Sequence, residues 1–194
     1  MLKLFTLKDS TRMEMFETFV KDASSSIQLW KGELDQLIQS CKQVSDAHRD
    51  LDCLGSANFL PFDIDLHVWT NSLKCKLGSA LENSFEAMNR LRTASLNVLE
   101  RIESLEIVLC PSIGLPDLPD NWAHISNCLS LLNRFRTELA NECDAIGLYH
   151  LRAVFKNDDS HSPSVLPPFD PNLSVIWKLW MELYLPVLRT AVHS

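Results

Sequence analysis

The sequence predicts an all-α protein, an elongated antiparallel bundle of three long helices plus a short C-terminal helix. Three observations lead there. Apolar or small residues recur at alternating steps of three and four along three long stretches, the spacing that places side chains on one face of a helix. Glycine is scarce, with 5 in 194 residues, and no proline interrupts the three stretches. No run of residues shows the strict alternation of a half-buried strand.

Residues 1–9 form a short lead-in. Thr11-Arg12-Met13-Glu14 fits a capping box, in which Thr and Glu satisfy each other's orphan amides at a helix start. The first stripe then reads Phe16, Val20, Ala23, Ile27, Trp30, Leu34, Leu37, Cys41, Val44, His48, Leu51. Its four-three steps are a heptad pattern, the geometry of coiled-coil packing. Ala, Cys and His weaken it as a homodimeric zipper, so helix 1 is expected to pack on helix 2 of its own chain. Gly55 to Pro61 reads as a loop, and Asp63 or Asp65 is the candidate cap of helix 2.

Helix 2 is the central element. Its stripe runs Leu66, Trp69, Leu73, Leu77, Ala80, Ser84, Met88, Leu91, Ser95, Val98, Ile102, Leu105, Leu109, a helix about 65 Å long at 1.5 Å per residue. Cys110 to Pro119 holds three prolines and one glycine, a firm stop. Asp120 is the candidate cap of helix 3, whose stripe is Trp122, Ile125, Leu129, Leu132, Phe135, Leu139, Cys143, Ile146, His150, Ala153. Residues 156–172 are polar and proline-rich and read as a mobile linker. A short helix from Leu173 to Leu188 closes the chain. The expected organisation is a three-helix bundle over residues 1–155, the linker, and a hydrophobic C-terminal helix and tail over 173–194.

Net charge is −7, so direct nucleic-acid binding is not the expectation. No run of 18 apolar residues occurs, and no membrane span is expected. The start of the chain lacks the apolar core and cleavage site of a signal peptide. Six cysteines are scattered without a C-x-x-C pair, which favours a reducing, intracellular setting.

Chemistry is hard to find. The six histidines are dispersed, no Cys/His cluster has metal spacing, and no phosphate-binding glycine motif or nucleophile elbow is present. No catalytic, cofactor-binding or metal-ligating residue is assigned, no cofactor is expected, and the chain is not expected to be an enzyme. Ser162-Pro163 is a weak candidate phosphosite.

Two features rise above this background as candidate partner-binding elements. Trp30 sits in the middle of helix 1, where it either fills the bundle core or meets a partner. The C-terminal helix is apolar nearly all round, with Ser174, Lys178 and Glu182 on one narrow polar stripe. Trp177, Trp180 and Tyr184 fall at i, i+3 and i+7 and share a face. Large aromatics of this kind anchor interfaces. They also fill the fourth side of a four-helix bundle, and the sequence leaves both roles open.

Several strings carry a resemblance: LWKGELDQLIQSC (29–41), KLGSALENSFEAMNRLRTASLNVLERIE (76–103) and CLSLLNRFRTELANECDAI (128–146). They resemble AIRIM-type ribosome-maturation factors, helical adaptors of Afg-type AAA ATPases, and Trp30 stands near the position of that family's Leu-Trp. NWAHISNCLSLLNRFRTEL (121–139) and LWMELYLPV (179–187) are equally similar to CINP-type proteins, which pair with AIRIM. The resemblance implies a non-enzymatic subunit of an AAA ATPase assembly, partnered by a second small helical protein and by ATPase subunits. It further implies work in ribosome biogenesis, on the large subunit, and in replisome-linked protein unfolding, in cytoplasm and nucleus. The alternative is a coiled-coil scaffold subunit of a tethering, kinetochore or cytoskeletal complex.

Overall fold

The computed structural model describes residues 9–56, 65–109, 122–155 and 175–188. Every element among them is helical: α1 (Asp9–Ser56), α2 (Leu66–Leu109), α3 (Trp122–Val154) and α4 (Val175–Leu179), the last running into a π-helical turn (Trp180–Tyr184) and on through residues 185–188. The all-α class and the element order are those expected from the stripes. Residues 1–8 of the lead-in, the 57–61 part of the first loop, Asp63, the 110–119 stop, Asp120, the 156–172 linker and Ser162 lie outside the described residues, as do the side chains of Trp122 and Ile125.

Element boundaries follow local chemistry. α1 begins at Asp9, ahead of Thr11 of the expected capping box, so Thr11 is already inside the helix. Asp65 caps α2: its Oδ1 accepts from the backbone N–H groups of His67 at 2.9 Å and Val68 at 3.3 Å, two of the orphan donors of a helix start. In the C-terminal helix the cause of the π-helical turn is Pro186. An α-helical Pro186 has no N–H for the Glu182 carbonyl, and its ring presses on that carbonyl. Widening the preceding turn relieves the clash, and the Leu185 N–H bonds to the Trp180 carbonyl instead.

The chain divides into two compact units, and each long helix contributes to both. Unit 1 comprises Met1–Lys31, Thr93–Cys143 and Ser174–Ser194; unit 2 comprises Gly32–Arg92 and Asp144–Leu173. The C-terminal helix thus groups with parts of all three long helices.

In unit 1 the core is Phe16, Val20, Ala23, Ile27 and Trp30 of α1, Val98, Ile102 and Leu105 of α2, Cys128, Leu132, Phe135 and Leu139 of α3, and Ile176, Trp180, Tyr184 and Leu188 of the C-terminal helix. α2 and α3 run antiparallel, since Ser95 meets Cys143 while Arg136 pairs with Glu106 at 2.9 Å.

In unit 2 the core is Leu34, Leu37, Cys41, Val44 and Ala47 of α1, Ala80, Ala87 and Leu91 of α2, and Ile146, His150 and Ala153 of α3. Arg90 bonds to Glu33 and Gln36, and Lys76 to Asp50, so α1 and α2 are antiparallel here. His150 is buried, with Nε2 3.4 Å from Ser84 Oγ and its ring edge-on to Phe85. Ser84 donates its own proton to the Leu81 carbonyl. Its oxygen is then an acceptor, which selects the Nε2–H tautomer of His150.

The expected stripe of α2 is buried from Ala80 onward except at Met88, which is half-buried while its neighbour Ala87 takes the core position, and it is not buried before Ala80. Leu66 and Trp69 are exposed, and Leu73 and Leu77 are half-buried. The reason is where α3 ends. His150 lies opposite Ser84, and α3 stops at Val154, so an antiparallel α3 has no residues left to cover α2 ahead of about Ala80.

Candidate partner-docking surface

Three of the four candidate partner-binding side chains are spent on the core of unit 1. Trp30 is fully buried on the α1 heptad stripe, and its indole N–H donates to Ser95 Oγ of α2 at 2.9 Å. Trp180 is fully buried, and its N–H donates to Ser24 Oγ of α1 at 2.9 Å. Tyr184 is fully buried, and its hydroxyl donates to Glu138 Oε2 of α3 at 2.8 Å. Each ring therefore has its polar handle satisfied inside the unit, the usual condition for a buried Trp or Tyr. Burial and the Glu138 carboxylate together push the Tyr184 phenol up to about 12.

The rings of the C-terminal helix converge on α3. Phe135 packs edge-on to Trp180 with centroids 5.2 Å apart, and to Tyr184 at 5.5 Å. Trp180 and Tyr184 lie near-parallel at 6.5 Å. Of the two open roles for this aromatic face, the geometry gives Trp180 and Tyr184 the core one. Trp177 alone of the four is only half-buried.

Trp177 lines a groove of about 810 Å³ between α1 and the C-terminal helix, wholly within unit 1. Its two walls differ in character. The C-terminal helix contributes Trp177, Met181 and Leu185, at steps of four. α1 contributes polar and charged side chains, Glu14, Glu17, Thr18, Lys21, Ser24, Ser25 and Gln28, above the apolar Phe16 and Val20. Met181 is 41% exposed. Such a volume is within the range of ligand pockets, and an apolar wall with an exposed Met and a half-exposed Trp is adaptable contact surface.

Sequence reasoning missed Glu142. It occupies a core position of α3 with 8% of its surface exposed. One carboxyl oxygen accepts from the backbone N–H of Ile176 at the start of the C-terminal helix, and Oε1 has no hydrogen-bond partner. Burial pushes its pKa up to about 8, against a smaller opposing effect of the Ile176 N–H. The one signal in the sequence is its place directly before Cys143 on the stripe.

Among the described residues no group of His, Cys, Asp and Glu side chains is placed to hold a metal ion, and no helix is long and apolar enough to cross a membrane. The described cysteines carry free thiols, and burial raises the pKa of Cys41 to about 12 and that of Cys128 in the same direction. These two are poor nucleophiles and behave as small core hydrophobes. No protein-family model, curated protein or solved structure matches the chain.

Proposed function

We propose that the chain is a non-enzymatic adaptor subunit of an AAA ATPase complex acting in large-ribosomal-subunit maturation and replisome-linked protein unfolding, held there with a second small helical protein of the AIRIM or CINP kind. One observation carries the adaptor part of this reading. Unit 1 closes its core with Trp30, Trp180 and Tyr184, yet leaves a groove in which Met181 is exposed and Trp177 half-buried above the buried Leu185. Apolar side chains left at the surface of a closed core suit a protein interface. The identity of the assembly rests on the sequence resemblance, whose strings 29–41, 76–103 and 128–146 lie on α1, α2 and α3. In this reading ATP hydrolysis belongs to the partner, the chain contributes contacts, and it works in cytoplasm and nucleus without touching nucleic acid or membrane itself.

Affinity purification of the tagged chain from its native cells, read by mass spectrometry, is the test. The expected result is stoichiometric recovery of AAA ATPase subunits and one further small helical protein. Recovery of a tethering, kinetochore or cytoskeletal assembly without an ATPase overturns the reading in favour of a coiled-coil scaffold.

A further inference from the structure

We propose that the unit 1 groove receives an amphipathic helix of a partner protein, its apolar stripe seated on Trp177, Met181 and Leu185 and a lysine or arginine on its flank set against Glu14 and Glu17. The inference rests on the adaptor reading and names the chemistry of the partner segment. A groove between two helices fits a third by ridge-and-groove packing. The two walls then demand a two-faced occupant. A uniformly apolar ligand leaves Glu14, Glu17 and Lys21 of the α1 wall desolvated without compensation, which is costly. A uniformly polar one leaves Trp177 and Met181 uncovered.

Charge selects the sign of the flank. Glu14 and Glu17 are three residues apart, share a face of α1 and are exposed. Lys21 stands four residues after Glu17, the spacing for a local pair, and so offsets one carboxylate of the two. One negative charge at that end of the groove is left for an incoming cation. The whole-chain charge of −7 acts in the same direction, steering basic segments inward and repelling a second copy of the chain.

The test places a photo-crosslinking benzoylphenylalanine at Met181 in the full chain, expressed in its native cells, and sequences the crosslinked peptide. The expected peptide comes from another protein, has apolar residues at helical spacing and carries a Lys or Arg within one turn of the crosslink. Glu14→Lys with Glu17→Lys is expected to lower crosslink yield by about tenfold or more while the melting curve stays in place. If that reversal lowers the melting temperature, Glu14→Gln with Glu17→Gln removes the charges without adding new ones and is expected to lower the yield by a smaller factor. A crosslink within the chain or to a second copy overturns the proposal, as does a peptide flanked by acids, no crosslink, or a yield unmoved by the charge variants. A basic amphipathic peptide from a protein outside any ATPase assembly leaves the groove assignment standing and overturns the adaptor reading. Recovery of the ATPase assembly with no crosslink at Met181 does the reverse.

Discussion

Glu142 is a single side chain that makes the stability of the fold depend on pH. Its pKa is pushed from 4.5 to about 8 by burial on folding, while the unfolded chain keeps the ordinary value. The folded state therefore binds a proton that the unfolded state has released. Its stabilising contribution is fully present below pH 4.5 and is lost as pH rises toward 8. Glu142→Gln is expected to flatten that decline and to raise the melting temperature at alkaline pH, measured by thermal melts across the interval. His150 acts in the opposite sense. Burial lowers its pKa below 6.5, so its contribution is present above that value and is lost as pH falls through the folded pKa. A core substitution without titration is Leu91→Ala, at a side chain 2% exposed in unit 2. It is expected to cost about 2–5 kcal/mol in chemical denaturation. Leu91 was legible from spacing alone, as was Trp30 as a stripe residue. Glu142 was not, because a periodicity of apolar residues carries no signal for an acid turned inward. The partners Ser24 and Ser95 were hidden for a related reason: spacing fixes which face of a helix is buried, not which side chain across the interface it meets.

The stripes located all three long helices, since hydrophobic periodicity and the absence of proline point the same way over many turns. Three details escaped them. One is the exposed start of α2, where the stripe continues after its covering helix has ended. Another is the π-helical turn, whose only mark in the sequence is Pro186. The third is the open groove, which depends on how the C-terminal helix lies on α1. At this scale the glycines are informative. Gly78 lies inside α2, and a Cβ added there meets nothing within 4 Å. Gly78→Ala is expected to stabilise by about 0.5–1 kcal/mol, through helix propensity and a less free unfolded chain. Equilibrium denaturation checks this. A loss of stability instead means that the position is packed.

Taken as one molecule, the chain relies on its C-terminal helix for the core of unit 1. Trp180, Tyr184, Ile176 and Leu188 are buried there. Removal of residues 170–194 uncovers Phe135 and takes the Trp180 N–H from Ser24, the Tyr184 hydroxyl from Glu138 and the Ile176 N–H from Glu142. The truncated protein is expected to aggregate or to melt at a much lower temperature, followed by size-exclusion chromatography and circular dichroism. A soluble truncation with an unchanged melting curve means that the helix is an appendage. The sequence offered both outcomes for this helix, since an all-round apolar helix must be covered and its composition does not say by what.

The buried carboxyl of Glu142 also leaves a calorimetric trace. Formal counting gives −7 at pH 7, with Glu142 ionised. A pKa of about 8 keeps it mostly protonated in the folded protein. Unfolding at neutral pH thus delivers close to one proton from this site to the buffer. The heat of unfolding then contains the protonation heat of whichever buffer is present. Scans in phosphate and in Tris at one pH are expected to differ in apparent enthalpy, lower in Tris, whose protonation is the more exothermic. Glu142→Gln is expected to remove this site's share of the difference.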